Sequence, residues 1–169
     1  NFGAGLTTVN IAGANADDSG ALVMEAGAVT VNISAALAGA LAITDTGTAT
    51  TDSLSLTNSA ATAVDGYSGE ALAITGYETV NISTTNAGTA TAQSFGAITV
   101  TPDTGGTATV NFSGTSVADI DAVVTANVLS FAGMTAQAAG TTTADMTGQA
   151  FEYAGASGSG TLTGSAGDD

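Results

Sequence analysis

Short stretches of this chain alternate apolar and polar residues, which is the pattern of a half-buried β-strand. One such tetrapeptide occurs four times, as Thr-Val-Asn followed by Ile in three copies and by Phe in the fourth. The alternation predicts that the second and fourth residues point into a core while Thr and Asn point outward. The copies are Thr8–Ile11, Thr30–Ile33, Thr79–Ile82 and Thr109–Phe112.

The copies begin 22, 49 and 30 residues apart, so the middle interval fits two steps of about 25 residues. Steps of this size are typical of solenoids, in which each repeat adds one coil to a stack. The sequence therefore predicts an all-β fold, a parallel β-solenoid (β-helix), over residues 1–114. In that stack the apolar pairs lie over one another, and four Asn side chains form an outward column or an amide ladder at a corner. They are Asn10, Asn32, Asn81 and Asn111.

A second family of short alternating strands lies between these copies. Its members are Leu41–Thr44, Leu72–Thr75 and Ala97–Val100, and Leu54–Thr57 fits the same pattern. Segments rich in Gly, Asp and Asn separate the strands, and such segments are typical of turns. The chain is thus expected to alternate between two kinds of strand within each coil.

Residues 115–154 follow a different pattern. Cap-type residues at 115 and 116 precede apolar residues at helical spacing, which predicts one short helix near 116–128. A further irregular coil is the alternative interpretation, and both stay open. The rest of this segment is assigned to irregular structure and further coils. The apolar residues at helical spacing are Val117, Ile120, Val124 and Val128.

Every charged side chain is acidic: the sequence has no Lys, Arg or His, and its net charge is −15. Nucleic acid is excluded as a partner because no basic group can replace phosphate counterions. Anionic lipid headgroups would repel this surface, and no apolar run is long enough for membrane insertion. Carboxylates without basic partners are either dispersed in water or gathered around metal ions. We therefore expect divalent cations to strengthen the fold, which has no cysteine for a disulfide.

Catalytic groups are scarce. Without His, Cys or Lys the chain has no base, thiolate or amine for nucleophilic catalysis, so a Ser-His-Asp triad is impossible. A carboxylate pair could in principle cleave a glycosidic bond, but no Trp is present to stack on a sugar. We expect no enzyme in this segment. With oxygen ligands alone available, calcium is the expected cofactor.

Two glycine-rich blocks in register close the sequence. Gly155–Thr163 follows the nonapeptide G-G-x-G-x-D-x-U-x in outline, with Leu162 at the apolar position, and Gly164–Asp169 matches its beginning. This nonapeptide builds a parallel β-roll whose turns hold Ca²⁺. The expected ligands are the carbonyl groups near Gly164 and Ala166 and the side chains of Asp168 and Asp169. Two further acid pairs, Asp17 with Asp18 and Asp119 with Asp121, are secondary calcium candidates or else surface acids.

These blocks resemble the repeats-in-toxin (RTX) family, which Gram-negative bacteria export by type I secretion. The strict resemblance covers residues 155–169, and Ile74–Thr85 is similar to the strand-turn units of RTX-type surface-layer proteins. The resemblance implies that residues 155–169 begin a calcium-binding β-roll and that the chain is a fragment of a longer protein. It also implies location on the outer cell surface, with copies of itself and cell-surface polysaccharide as partners.

Three functions follow as expectations. The first is a structural, self-assembling surface-layer or filament subunit stabilised by calcium. The second is a module of an RTX adhesin that binds a ligand or ice, since Thr-x-Thr recurs, for example at Thr99 and Thr101. The third is the non-catalytic part of a secreted RTX enzyme. Three isolated acids are expected to be exposed: Glu25, Glu70 and Glu78.

Overall fold

The computed structural model describes residues 2–12, 20–25, 27–85, 91–116, 118–120, 123–134, 144–145, 152–154 and 161–163. All regular structure in these ranges is β-strand, which confirms the all-β prediction. The strands of the described residues are β1 Thr8–Ile11, β2 Gly20–Met24, β3 Ala28–Ile33, β4 Leu41–Asp45, β5 Ser53–Asn58, β6 Leu72–Thr75, β7 Thr79–Ser83, β8 Gln93–Phe95, β9 Ile98–Thr101, β10 Thr109–Gly114, β11 Ala118–Ile120, β12 Val123–Thr125, β13 Val128–Met134, β14 Ala144–Asp145, β15 Glu152–Ala154 and β16 Thr161–Thr163.

The strands form three sheets, and every ladder between described strands is parallel. The seven-stranded sheet has the order β1-β3-β5-β7-β10-β13-β16, and the six-stranded sheet has the order β15-β12-β9-β6-β4-β2. A third sheet has three strands in the order β14-β11-β8, and β8 is its first strand in the chain. Consecutive described strands lie in different sheets, and paired strands are two or three strands apart in the chain.

The core lies between the inner faces of these sheets, and period-two alternation places it there. In β4, residues 41, 43 and 45 are buried, and in β5 residues 54, 56 and 58 are buried. The predicted inward pairs Val80/Ile82 and Val110/Phe112 are at most 1% exposed. Each fully buried Val, Ile or Leu side chain stabilises the fold by about 1.5–3 kcal/mol. The predicted strand Leu54–Thr57 is confirmed within β5, but its assignment to the second family is wrong, because β5 pairs with β3 and β7 in the sheet of the repeat copies. It fills the long interval between the second and third copies.

The Asn residues form two separate ladders rather than one column. Asn32 Nδ2 donates to Asn10 Oδ1 at 2.8 Å, and Asn111 Nδ2 donates to Asn81 Oδ1 at 3.1 Å. Between these pairs lies β5, which aligns Asn32 with Thr57 and Ser55 with Asn81. The second pair is therefore displaced by two residues along the strands. A shift of two keeps every side chain on its own face, so the hydrophobic pattern does not oppose it.

The predicted helix near 116–128 is wrong, because the described residues of that segment include two strands, β11 and β12. Ala118 and Ile120 are buried on either side of Asp119, and β11 pairs with β8. Val124 is buried in β12, which pairs with β9. Ile120 and Val124 fit both a helical and an alternating pattern, and only the neighbouring strands decide between these patterns.

Candidate functional site

Acidic side chains gather where the chain passes from the six-stranded to the seven-stranded sheet. Asp45 ends β4, Asp52 precedes β5 and Glu78 precedes β7, and each of the three is 5% exposed. Asp103, half-buried, follows β9 at the next connection. We call these four residues the acid corner. Alternation positions the first three, since Asp45 continues the inward series of Leu41 and Ile43, and the other two stand two residues before an inward strand residue.

Glu78 links three consecutive connections of the acid corner. Its Oε2 accepts a hydrogen bond from the backbone N–H of Asp52 at 2.9 Å, and its Oε1 accepts one from the N–H of Asp103 at 2.9 Å. A side chain at Gly106 would collide with this carboxylate, because a Cβ there would lie 2.6 Å from Oε1. Two N–H donors replace the water that a buried carboxylate loses, so Glu78 is held as a structural acceptor.

The carboxyl groups of Asp45 and Asp52 both reach Gly47, where a Cβ would lie 2.6 Å from Asp45 Oδ2 and 3.6 Å from Asp52 Oδ2, so they can share a hydrogen bond when one of them is protonated. Asp45 Oδ2 also accepts from the N–H of Gly47 at 3.0 Å. Burial, followed by the hydrogen bond and the negative charge of Asp45, raises the pKa of Asp52 from 3.8 to about 6. The charges of Glu78 and Asp103 act in the same direction. Gly27 lies against the other side of Asp52, where a Cβ would clash with Oδ1.

Tyr77 lies next to the acid corner. Its side chain is fully buried, and among the described residues its hydroxyl has no hydrogen-bond partner. Burial, and then the negative charges of Asp45 and Asp52, raise the pKa of this phenol above its usual value, so it keeps its proton at neutral pH. The same part of the structure offers no partner to Asp45 Oδ1 or Asp103 Oδ2. The corner is thus rich in acceptor oxygens and poor in donors.

A second polar cluster lies beside the three-stranded sheet and is structural. Gln93 is fully buried, and its Oε1 accepts from Asn58 Nδ2 at 2.8 Å and from the N–H of Gly66 at 2.9 Å. Its Nε2 donates to the carbonyl groups of residues 64, 91 and 92. Asp65 Oδ1 accepts from the N–H groups of Tyr67 and Ser68 in the same loop. These bonds fasten the long loop between β5 and β6 onto the core.

Most of the predicted calcium ligands lie outside the described residues: Asp17, Asp18, Asp121, Gly164, Ala166, Asp168 and Asp169. Asp119 is described; it is half-buried in β11, aligned with Ser94 on one side and Asp145 on the other. In the part of the chain that the structure describes, no three or more acid side chains are arranged to hold a metal ion. Calcium at the predicted positions therefore stays a prediction.

The acid corner is a site that our sequence reasoning missed. The expectation that Glu78 is exposed is wrong, because the side chain is 5% exposed and bonded to two neighbouring connections. The signal was present in the alternation, since an acid at an inward position next to a strand end must lie in or against the core. We instead considered acids that are neighbours in sequence as candidate metal sites.

Comparison with known proteins finds no matching family model, no matching curated protein and no matching solved structure. Over the described ranges, no helix is long and apolar enough to span a membrane. The geometry of the sheets and the chemistry of the acid corner are therefore the features that indicate a function. That chemistry consists of carboxyl groups that bind protons or accept hydrogen bonds.

Proposed function

We propose that this chain is a stretch of parallel β-solenoid that serves as a structural, self-assembling protein of an extracellular surface, of the RTX surface-layer type and stabilised by calcium. The observation that carries the proposal is the order of the strands. Each of the two large sheets is visited once per repeat, and each return adds one parallel strand to the same ladder. Antiparallel hairpins would place consecutive strands side by side in one sheet. Coils wound in one direction instead return the chain to each ladder in turn, which produces the observed order.

The ladders suit end-to-end growth. Within the described residues β1 stands at one end of the seven-stranded order and bonds only to β3. The carbonyl groups of Thr7 and Ile11 accept bonds from the β3 side, from the N–H groups of Thr30 and Ser34. Because backbone groups of a parallel strand alternate in direction, Thr8 and Asn10 direct theirs away from β3. Backbone groups in this position are a template for a further parallel strand, and in the proposed assembly a second copy of the chain supplies it.

Charge and surface chemistry support a structural role in the same way. The net charge of −15 has no basic counterpart, so copies can approach each other only when cations screen or bridge their carboxylates. Calcium is the cation that all-oxygen ligands favour. The outer face of the seven-stranded sheet is free of acids in β3, β5, β7 and β10, where Thr, Ser and Asn alternate with the core residues.

Electron microscopy of the purified chain in calcium chloride and in EDTA tests this proposal. We expect ordered arrays or filaments with calcium and dispersed particles after chelation. Thr8→Pro removes an N–H that faces away from β3 and should shorten or abolish the assemblies, whereas Thr8→Val keeps that N–H and should assemble normally. Dispersed monomers under every condition would refute self-assembly, and assemblies that survive EDTA would refute the calcium requirement.

A ligand-binding adhesin module is the second candidate, and the acid-free outer face of the seven-stranded sheet favours it. Rows of hydroxyl and amide groups there, including the Asn81–Asn111 ladder, can donate and accept hydrogen bonds with a neutral polysaccharide. Ice binding has less support, because the Thr pairs are scattered: Thr99/Thr101 lie on β9 and Thr161/Thr163 on β16, in different sheets. Binding to immobilised cell-surface polysaccharide, compared with an Asn81→Asp variant, tests the adhesin function.

A further inference from the structure

The acid corner poses an electrostatic problem that the chain cannot solve with its own charges. Three carboxyl groups are buried to 95%, and the sequence has no Lys, Arg or His to neutralise any of them. A buried ionised carboxylate is costly unless it is paired or well hydrogen-bonded. Glu78 has two N–H donors, but Asp45 has one, from Gly47, and its main side-chain neighbour is another acid.

Asp45 and Asp52 form a buried pair of carboxyl groups: each residue is 5% exposed, and a Cβ at Gly47 would lie 2.6 Å from Asp45 Oδ2 and 3.6 Å from Asp52 Oδ2. Two ionised carboxylates contain only acceptors, so a bond between them forms only when one of the two carries hydrogen. We propose that Asp45 and Asp52 share one proton across this bond in mildly acidic solution, and that the shared proton makes the folded chain more stable there than at neutral pH. The pair acts as a pH-responsive element at the junction of the two large sheets.

The groups packed around the pair all favour proton uptake. Glu78 lies on one side, bonded to the backbone of Asp52, and Asp103 lies beyond it at the β9 end. Tyr77 is neutral, and on the opposite side the connection from β2 to β3 presents Gly27. Glu25 in that connection is exposed, with its carboxylate near Gly3 rather than the pair. Every titratable neighbour is therefore negative or neutral.

The sign of the pH effect follows from comparing the folded with the unfolded chain. The pKa of Asp52 is about 6 when folded and 3.8 as the ordinary value, so the folded state binds the proton more tightly. The stability that the raised pKa of Asp52 contributes is fully present below pH 3.8, declines as the pH rises toward 6, and is lost above pH 6. A difference of about 2 between the folded and unfolded pKa corresponds to roughly a hundredfold change in the folding equilibrium constant.

The variant Asp52→Asn tests the pair, because its amide can donate to Asp45 at every pH and so imitates the protonated acid. We expect urea unfolding of the wild-type chain to become easier between pH 4 and pH 7, and this slope to be mostly absent in Asp52→Asn. At pH 7 the variant should be the more stable protein. Glu25→Gln is the matched control, since it removes one charge from an exposed position and should keep the wild-type slope.

A direct titration keeps the proposal testable even if the variant folds poorly. Carbon-13 NMR of the wild-type aspartate carboxyl groups should show one group with a midpoint near 6, and Asp45→Asn should lower that midpoint. If Asp52 titrates near 3.8, or if Asp52→Asn retains the full slope, the shared proton does not exist. If excess calcium chloride removes the slope from the wild type but leaves Asp52→Asn unchanged, the pair holds a metal ion instead.

Discussion

Phe112 is the residue whose replacement best tests the packing of the stack. It is the only Phe among the four repeat tetrapeptides, it is 1% exposed, and it stands between two other rings. The ring centroids of Phe112 and Phe95 are 5.3 Å apart in an edge-to-face arrangement, and those of Phe112 and Phe131 are 5.1 Å apart and stacked. Phe112→Ile restores the residue of the other three copies, so it changes the ring and keeps the repeat.

These contacts determine how much free energy of unfolding the variant is expected to lose. Truncation of a buried Phe to Ala costs about 3–5 kcal/mol, which approaches the whole stability of many domains. Phe112→Ile keeps most of the apolar side-chain volume and loses two aromatic pairs, each worth about 0.5–1.5 kcal/mol. We therefore expect Phe112→Ile to lower the free energy of unfolding by about 1–3 kcal/mol, through lost ring contacts and a small cavity.

Urea denaturation monitored by far-ultraviolet circular dichroism, at fixed pH and salt, measures this change in the free energy of unfolding. Phe2→Leu is the control, since Phe2 is 40% exposed and its replacement should cost less than about 0.5 kcal/mol. A double-mutant cycle of Phe112→Ile with Phe131→Leu should give a coupling of about 0.5–1.5 kcal/mol. If Phe112→Ile costs no more than Phe2→Leu, or if the coupling is zero, then the Phe rings of β10 and β13 do not pack together.

Three more changes have definite expected outcomes. Gly76→Ala should cost about 2 kcal/mol in urea unfolding, because Gly76 has φ of 80° and a Cβ would lie 2.7 Å from the carbonyl oxygen of Asp45; Gly5→Ala, in open space, should be neutral. Gln93→Leu should cost about 2–3 kcal/mol in the same assay, since it leaves the Gly66 N–H without its acceptor. Sodium chloride should raise Tm by screening the uncompensated charge of −15, by about 2–4 °C for each kcal/mol gained; an unchanged Tm would contradict net repulsion.

Alternation predicted the strands and their inner faces well because a period of two is a local property. Val80 and Ile82 point inward for the same reason in any sheet, and the interval of 49 residues correctly indicated an additional strand, β5. Register was less predictable. Identical tetrapeptides suggested a single Asn column, but the lengths of the connections on each side of β5 displace Asn81 by two residues from Asn32. Nothing in the alternating pattern opposes such a shift.

The acid corner could be predicted only in part, because it joins residues that are far apart in sequence. Glu78 bonds to the backbone of Asp52, 26 residues earlier, and of Asp103, 25 residues later. Reading inward positions past the ends of the strands would have indicated burial of Asp45, which follows Leu41 and Ile43 at steps of two. It would not have shown that Asp45 and Asp52 meet, since the length of the connection between β4 and β5 decides that contact.

Parallel stacking accounts for the amide ladders and for the part of the acid corner in which Glu78 lies beside Asp52 of the preceding repeat. Neighbouring strands lie about 4.8 Å apart, so each side chain faces its counterpart in the next repeat. Amides tolerate this arrangement because each can donate to the next, as Asn32 does to Asn10. Carboxylates cannot, and the chain has no basic side chain to place between them. Backbone N–H groups stabilise Glu78, but the Asp45–Asp52 pair needs hydrogen from solution. In parallel sheets without basic residues, a proton is therefore taken up where two inward acids meet and too few backbone N–H groups reach them, as at Asp45 and Asp52.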